Sequence, residues 1–340
     1  MYRALYSRVL THTDPEEAHE AAIAAIARAG TTEATRRALK ATYGRREQPV
    51  HSERLLQLPR PVPGVLGLAA GMDKNGVAIL GMDALGFGYV EVGTVTAIPQ
   101  PGNDKPRLWR EPSLCAFRNR MGFNNDGAAA LGHRLRELRR TVAGRGVVVG
   151  VNIGKSKVVP LKDAAADYEA STREVAQWAD YITINVSSPN TPGLRELQDV
   201  DSLRPILRVV RETASQRAGR DVPVFVKIAP DLTDAEITDI ARMVVEENSA
   251  GICAVNTTIH HDLGPGGLSG APLKERAREV VALLRHELGL GQIIIGVGGI
   301  ETPQDGRALL DAGADLLQAF TAFVYEGPSW PGRMNRALSD

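Results

Sequence analysis

The segments VVVGVN (147–152), DAAADYEASTREVAQWA (163–179) and YITINV (181–186) follow one another as an apolar run, a helix-like run and a second apolar run. The two apolar runs are short and rich in β-branched residues, as strands buried on both faces are. A strand that returns parallel to its predecessor needs a crossover, usually a helix. The same kind of run recurs at VLGLAA (65–70), GYVEVG (88–93), VPVFVKI (222–228), GICAVN (251–256), QIIIGV (292–297) and ADLLQAF (314–320). Helix-like segments such as DGAAALGHRLRELRR (126–140) and LTDAEITDIARMVVEE (232–247) lie between them. Eight strands alternating with helices predict an α/β fold with a parallel sheet, and eight closes a (β/α)8 TIM barrel. A doubly wound open sheet would carry GxGxxG after its first strand; AAGMDKNG (69–76) lacks that spacing.

A chain of 340 residues is long enough for one large domain with an appendage. Lys+Arg and Asp+Glu both number 40, so there is none of the basic excess usual for a nucleic-acid partner. Cys115 and Cys253 fit no C-x-x-C spacing; they read as two buried free thiols in a reducing compartment, and no metal site is expected. No apolar run reaches the ~20 residues of a spanning helix. MYRALYSRVL (1–10) lacks the apolar core of a secretion signal, which predicts a soluble or peripheral, intracellular protein.

The first 45 residues form a separate unit. Tyr2, Leu5, Tyr6, Val9 and Leu10 share a helical face, with Arg3 and Arg8 off it. DPEEAHEAAIAAIARAG (14–30) opens with Asp14 as N-cap, Pro15 at the first helical position and Glu17 in a capping-box position, and stops at Gly30. The pattern alone predicts two amphipathic helices docked on the body of the protein. The alternative is contact with a bilayer or a lipid-like ligand.

In such a barrel, chemistry sits at the C-terminal strand ends. Those ends are polar: Lys74, Gly93–Thr94, Asn152, Asn185–Ser188, Lys227 and Asn256–Thr257. Two lysines and three asparagines at one mouth are costly to bury without a ligand. Gly298 and Gly299, leading into a helix from Thr302, suit a phosphate, and GGLSG (266–270) lets a backbone approach closely. The phosphate could belong to a substrate or to flavin mononucleotide (FMN), whose ring lysines and amides suit. FRNRMGFNNDG (117–127) adds Asn119, Asn124 and Asn125, which with Asn185, Asn190 and Asn256 predict a ring of carboxamides matched to a pyrimidine-like ring.

These motifs resemble the dihydroorotate dehydrogenase family, in its membrane-associated, quinone-dependent class. AAGMDKNG, EVGTVTAIPQPGNDKPR, NRMGFNNDG, GVNIGKSK, NVSSPNTPGLRELQ, VKIAPDLT, NTT, GGLSG and GVGGI occur in the family's order across nearly the whole chain. The resemblance implies an N-terminal helical extension (1–45) forming the quinone tunnel and membrane contact. An FMN-binding TIM barrel (46–340) follows it. It also implies oxidation of dihydroorotate to orotate with a quinone as acceptor, the fourth step of pyrimidine synthesis. The implied base at C5 is Ser188, with hydride passing from C6 to FMN. Flavin contacts fall on Ala70, Gly71, Met72, Asp73, Lys74, Thr94, Asn152, Asn185, Lys227, Val255, Gly270, Gly299, Phe320 and Thr321. Substrate contacts fall on Lys74, Asn119, Arg120, Met121, Gly122, Phe123, Asn185, Asn190, Asn256 and Thr257. His19 and Arg110 match the quinone tunnel. The resemblance favours membrane contact for the N-terminal helices, and hence a peripheral protein on the cytoplasmic face of the cell membrane.

Two positions depart from the family. Val255 stands where threonine is usual, with only its backbone left to serve the flavin. Phe320 stands where tyrosine or another polar residue is usual near the quinone end. A soluble relative using fumarate or NAD is disfavoured by Ser188 and by the extension. RNA dihydrouridine reduction would want a basic face and a catalytic cysteine, and a non-catalytic flavin scaffold would not need Lys74, Asn119, Ser188, Lys227 and Asn256 together.

Overall fold

A computed structural model describes residues 2, 6, 8, 10–45 and 49–339 of the chain. All eight expected strands form: β1 (Leu66–Leu68), β2 (Val90–Val95), β5 (Val149–Gly154), β6 (Tyr181–Asn185), β7 (Val224–Ile228), β8 (Gly251–Ala254), β10 (Ile293–Val297) and β11 (Leu316–Ala319). They close a barrel in which each pairs parallel with its neighbours, β11 returning to β1. Asn152 on β5 pairs with Thr183 on β6, and Asn185 with Lys227 on β7. The C-terminal ends therefore carry their polar side chains at one level. Apolar side chains bury the rest: Tyr181 stacks edge-on against Phe225 at 5.3 Å within the barrel, while Leu131, Leu207, Val244 and Leu284 lie on the surrounding helices.

Three further strands were not legible as strands. β3 (Leu108–Glu111), β4 (Ala116–Asn119) and β9 (Gly267–Gly270) form an antiparallel sheet in the order β3-β4-β9. The start of FRNRMGFNNDG and most of GGLSG thus pair with each other, Ala116 opposite Gly270 and Asn119 opposite Gly267. Glycine and single apolar positions hid this pairing, because strand periodicity needs longer alternation.

Helix caps follow the sequence closely. Thr233 and Glu236 close a capping box on Asp234–Glu246, and Thr302 and Asp305 do so on Pro303–Asp311. Asp14 accepts from the Glu16 and Glu17 amides at 2.9 and 3.0 Å to start α1 (Pro15–Gly30). Glu17 does not complete a capping box there. A second helix, α2 (Glu33–Tyr43), starts on Thr32. Of the first apolar stretch, Tyr2, Tyr6 and Arg8 are helical. Arg3, Leu5 and Val9 lie outside the described residues, as does the side chain of Leu10.

The N-terminal helices dock on the body, as their pattern alone implied. Ile23, Ile26 and Ala27 pack on the core. A Cβ on Gly81 would collide with the Ile26 carbonyl, so only glycine allows α1 this close to the helix Ile79–Ala84. Buried Glu16 receives Arg107 Nη2 at 2.7 Å and Nε at 3.1–3.2 Å. Burial alone would raise the Glu16 pKa, but the bonds from Arg107 outweigh it and hold the carboxyl below its usual 4.5. That depressed value contributes stability above about pH 4.5 that is lost as the carboxyl protonates in more acid solution. Glu16→Gln should loosen α1 by about 3 kcal/mol, because Arg107 is left buried without its counter-charge. Hydrogen exchange confined to α1 and faster than wild type is the expected result; unchanged exchange would refute the latch.

Cys253 is buried, as expected, but Cys115 is exposed. It sits at the turn between β3 and β4 with φ of 47°, where the chain reverses at the surface.

Candidate active site

The barrel mouth, α1 and the β3-β4-β9 sheet surround a cavity of about 190 Å³. Its wall brings together Ala70, Gly71, Lys74, Thr94, Asn185, Lys227, Val255, Gly270, Gly299, Phe320 and Thr321. Asn119, Met121, Gly122, Phe123, Asn190, Asn256, Thr257, Ser188 and His19 line the same space. Residues from most of the barrel strand ends and from α1 thus converge, although hundreds of residues separate some of them.

Lys74 follows β1 in a loop held by Asp73, whose carboxylate accepts the amides of Val77 and Ala78 at 2.9 and 2.7 Å. Asp73 and Met72 therefore support the loop from behind and do not line the cavity. Enclosure lowers the Lys74 pKa to about 8; the Glu16 charge opposes this and Arg107 adds to it. Neither Lys74 nor Lys227 has a carboxylate within ion-pair distance among the described residues. An acidic partner is thus left for a ligand to supply.

Ser188 is 6 % exposed, and its Oγ accepts the Asn190 amide at 3.3 Å. Among the described residues no histidine bonds to it, so it lacks the usual activating base of an acyl-transfer serine. Three residues on, the Thr191 hydroxyl is buried and unpartnered. The sequence reading passed over Thr191; a hydroxyl next to NVSSPN was its only signal.

Behind the wall lies a polar ladder. Asn152 Nδ2 donates to Glu91 at 2.8 Å, and Asn152 Oδ1 accepts from Thr94 Oγ1 at 2.6 Å and Asn185 Nδ2 at 3.2 Å. Asn152 therefore supports Thr94 and Asn185 rather than lining the cavity itself. Asn185 Oδ1 accepts from Ser187 Oγ at 3.1 Å, so Ser187 braces Asn185 by a hydrogen bond. The expected ring of carboxamides contains Asn119, Asn185, Asn190 and Asn256 but neither Asn124 nor Asn125. Asn125 instead braces its own loop, bonding Thr96, Phe123 and Gly127. Arg120 points to the carbonyls of Asp104 and Pro106, away from the cavity.

Gly298 and Gly299 line the cavity, and Gly299, with φ of 69°, would place a Cβ 2.5 Å from Lys274 Cα. The helix after them caps itself: Asp305 accepts the Glu301 and Thr302 amides. Anion binding here thus falls to the glycine backbone rather than to the start of that helix.

Toward α1, His19 stacks on Phe320 with ring centroids 6.3 Å apart. Burial lowers its pKa to about 3, with Lys74 adding to the effect, so the imidazole is neutral at neutral pH. Arg110 lies outside the cavity wall, donates to the Thr13 carbonyl at 2.7 Å and keeps a buried, unpartnered Nε. The two departures have defined consequences. The Val255 N–H is already taken by the Val297 carbonyl at 2.8 Å, leaving only its carbonyl free. Tyr325 does not replace the hydroxyl missing at Phe320, because it donates to the Ala116 carbonyl at 2.8 Å.

A closed parallel barrel with ammonium groups, carboxamides and glycine turns at its C-terminal mouth defines an α/β-barrel enzyme that grips a planar, polar ring. The family model described as Dihydroorotate dehydrogenase matches residues 60–340, and the chain belongs to that family. A relative from Nocardioides sp. (strain ATCC BAA-499 / JS614), named dihydroorotate dehydrogenase (quinone), is 51% identical over 100% of this chain and 97% of its own length. One of the same name from Kineococcus radiotolerans is 50% identical over 98% of this chain and 93% of its own. The crystal structure of an Eimeria tenella DHODH in complex with ferulenol superposes with a TM-score of 0.84 at 34% identity, covering 98% of this chain and 93% of that one.

Proposed function

We propose that this chain is a quinone-dependent dihydroorotate dehydrogenase: it oxidises dihydroorotate to orotate in pyrimidine synthesis, with FMN as its redox group. The observation that carries the reading is the convergence of Ser188, Lys74, Lys227 and four carboxamides on one enclosed wall. The full-length relatives of that name, at about 50% identity, support the class.

The residues fit a flavin. A Cβ on Gly71 would meet nothing closer than 4.0 Å, so the backbone there leaves room for a flat ring. Lys227 and Lys74 offer cations to an electron-rich ring, Thr94 and Asn185 offer polar edges, and Gly270, Gly299 and Thr321 offer backbone to a phosphate. Bound there, FMN would supply an acceptor for the hydride from C6 of the substrate and a donor of electrons to the quinone. Lys74 meets the substrate carboxylate, and Asn119, Asn190 and Asn256 hold the ring amides. Ser188 Oγ takes the C5 proton and passes its own hydroxyl proton onward through a water or hydroxyl relay.

The N-terminal unit (1–45) serves the quinone. His19 and Phe320 give the cavity an aromatic wall toward α1, and Arg110 brings an unpartnered Nε nearby. The outer face of α1 exposes Ala21, Ala22, Ala24, Ala25 and Arg28, and α2 exposes Arg37, which pairs with Glu33. An apolar strip beside basic residues suits an anionic bilayer surface. No helix among the described residues is long and apolar enough to cross a membrane. On this reading the protein works as a peripheral protein on the cytoplasmic face of the cell membrane.

An anaerobic experiment tests the reaction. Dihydroorotate should bleach the flavin-loaded protein, and a short-chain quinone, but not fumarate, should restore its absorbance. No bleaching would overturn the reaction; recovery by fumarate would overturn the acceptor.

A further inference from the structure

Glu91 on β2 is fully buried inside the barrel and faces no cation within ion-pair distance among the described residues. Four donors surround it. Asn152 Nδ2 reaches one oxygen at 2.8 Å; Tyr181 Oη, Thr183 Oγ1 and Gln318 Nε2 reach the other at 3.0, 3.0 and 2.8 Å. A carboxylate can only accept, so the Asn152 atom facing it must be the NH₂ group. Every later bond then has a fixed direction. Asn152 Oδ1 faces Thr94, whose hydroxyl must donate to it, so the Thr94 lone pair accepts from Asn185 Nδ2 at 3.0 Å. The Asn185 N–H bonds go to Thr94 and Asn152, and its Oδ1 accepts from the Ser187 amide at 3.2 Å, from Ser187 Oγ and from Asn256, while Asn256 Oδ1 accepts the Thr257 amide at 2.8 Å. The Ser187 hydroxyl donates to that oxygen and accepts from Asn256 Nδ2 at 3.0 Å.

We infer that Glu91 is a positioning residue: one buried carboxylate outside the cavity wall fixes the orientation of Asn152, whose oxygen must face the Thr94 hydroxyl and the Asn185 NH₂, while the amides of Ser187 and Thr257 fix Asn185 and Asn256 from the other side, so that only this orientation of Asn152 holds Thr94 and Asn185 in the wall. This rests on the proposed dihydroorotate chemistry for the identity of the ligands. Without the carboxylate, Asn152 is free to turn its NH₂ toward Thr94 and the NH₂ of Asn185, which the Ser187 amide holds in place. Two donors then face each other behind the wall, a buried polar group is left unsatisfied, and Thr94 and Asn185 shift from the positions that meet a bound ring.

The test is a reversal and its repair. In Glu91→Gln, three donors still face the far atom, so the side-chain oxygen stays there and the NH₂ turns toward Asn152. Asn152 must flip, and its NH₂ then faces that of Asn185, which the Ser187 amide holds in place. FMN affinity of the apoprotein (by flavin fluorescence quenching) and orotate affinity of the flavin-saturated protein (by absorbance titration) should each fall roughly 10- to 100-fold. The flavin reduction rate should fall in parallel. In Glu91→Gln/Asn152→Asp, the new carboxylate accepts from the amide introduced at position 91, from Thr94 and from Asn185, restoring the downstream directions; both affinities should return to within about threefold of wild type. Thr183→Val removes a donor on the far side only and should leave both affinities near wild type. Wild-type affinities in Glu91→Gln, a folded double variant without recovery, or a Thr183→Val loss as large as that of Glu91→Gln would each overturn the inference. If Glu91→Gln does not fold, the double variant and Thr183→Val still decide it. A wild-type protein that dihydroorotate fails to bleach would overturn the reaction instead, while the FMN affinities of the apoproteins would still judge Glu91.

Discussion

Ser188→Ala is expected to keep its fold and its flavin but to be reduced by dihydroorotate roughly 10²- to 10⁴-fold more slowly, the range of a lost general base. The side chain is small, and its only hydrogen bond among the described residues is accepted from the neighbouring Asn190 amide, so alanine removes a hydroxyl without opening a large void. Orotate affinity should change only a few-fold, because Lys74 and the carboxamides remain. Reoxidation by quinone should not change, since that half-reaction uses the side of the cavity toward α1. Stopped-flow reduction under anaerobic conditions separates the steps. A rate within tenfold of wild type would remove Ser188 from the role of base and return attention to the remaining polar groups of the wall.

Lys74→Met is expected to weaken orotate binding by roughly 30- to 1000-fold at pH 7, the scale of truncating one partner of an enclosed charge pair. The pH dependence gives a sharper signature. With its pKa lowered from 10.5 to about 8, Lys74 loses its proton as pH rises through 8. Orotate affinity of the wild type should then fall about tenfold per pH unit above that point, with a proton taken up on binding. The methionine variant should show a flat profile. The stability signature has the opposite slope: between about 8 and 10.5 the unfolded chain holds this proton and the folded chain does not, so stability rises with pH across that window. A wild-type orotate profile that stays level from about pH 7 to 10 would show that another group meets the carboxylate.

His19 makes a useful contrast. Its pKa of about 3 keeps it neutral throughout this range, so no limb of either profile should trace to it.

Much of the barrel was legible because its signal is local. A run such as VVVGVN is apolar throughout only if both faces are buried, and a helix between two such runs forces them parallel. Caps were equally local: Asp14, Thr233 and Thr302 act on amides two or three residues away. The sheet β3-β4-β9 was not legible, since its strands are four residues each and β4 pairs with β9 about 150 positions away. Of the site, Lys74, Ser188, Lys227 and Asn256 stood out as polar ends of apolar strands. Asn124, Asn125 and Arg120 looked equivalent in sequence; their turning away depends on which backbone groups happen to lie beside them. Glu91 drew no notice in GYVEVG, where a lone carboxylate in a strand reads as surface.

By itself, the sequence determined the alternation of strand and helix, the caps, and the polar character of each strand end, because these follow from hydrophobic period and bonds between near neighbours. Tertiary structure alone decided that Glu91 points inward, that α1 closes over the mouth through Glu16 and Arg107, and which carboxamides face the cavity. Those outcomes depend on the closure and register of the barrel, which bring distant groups within about 3 Å of one another and leave each buried donor only one acceptor to meet.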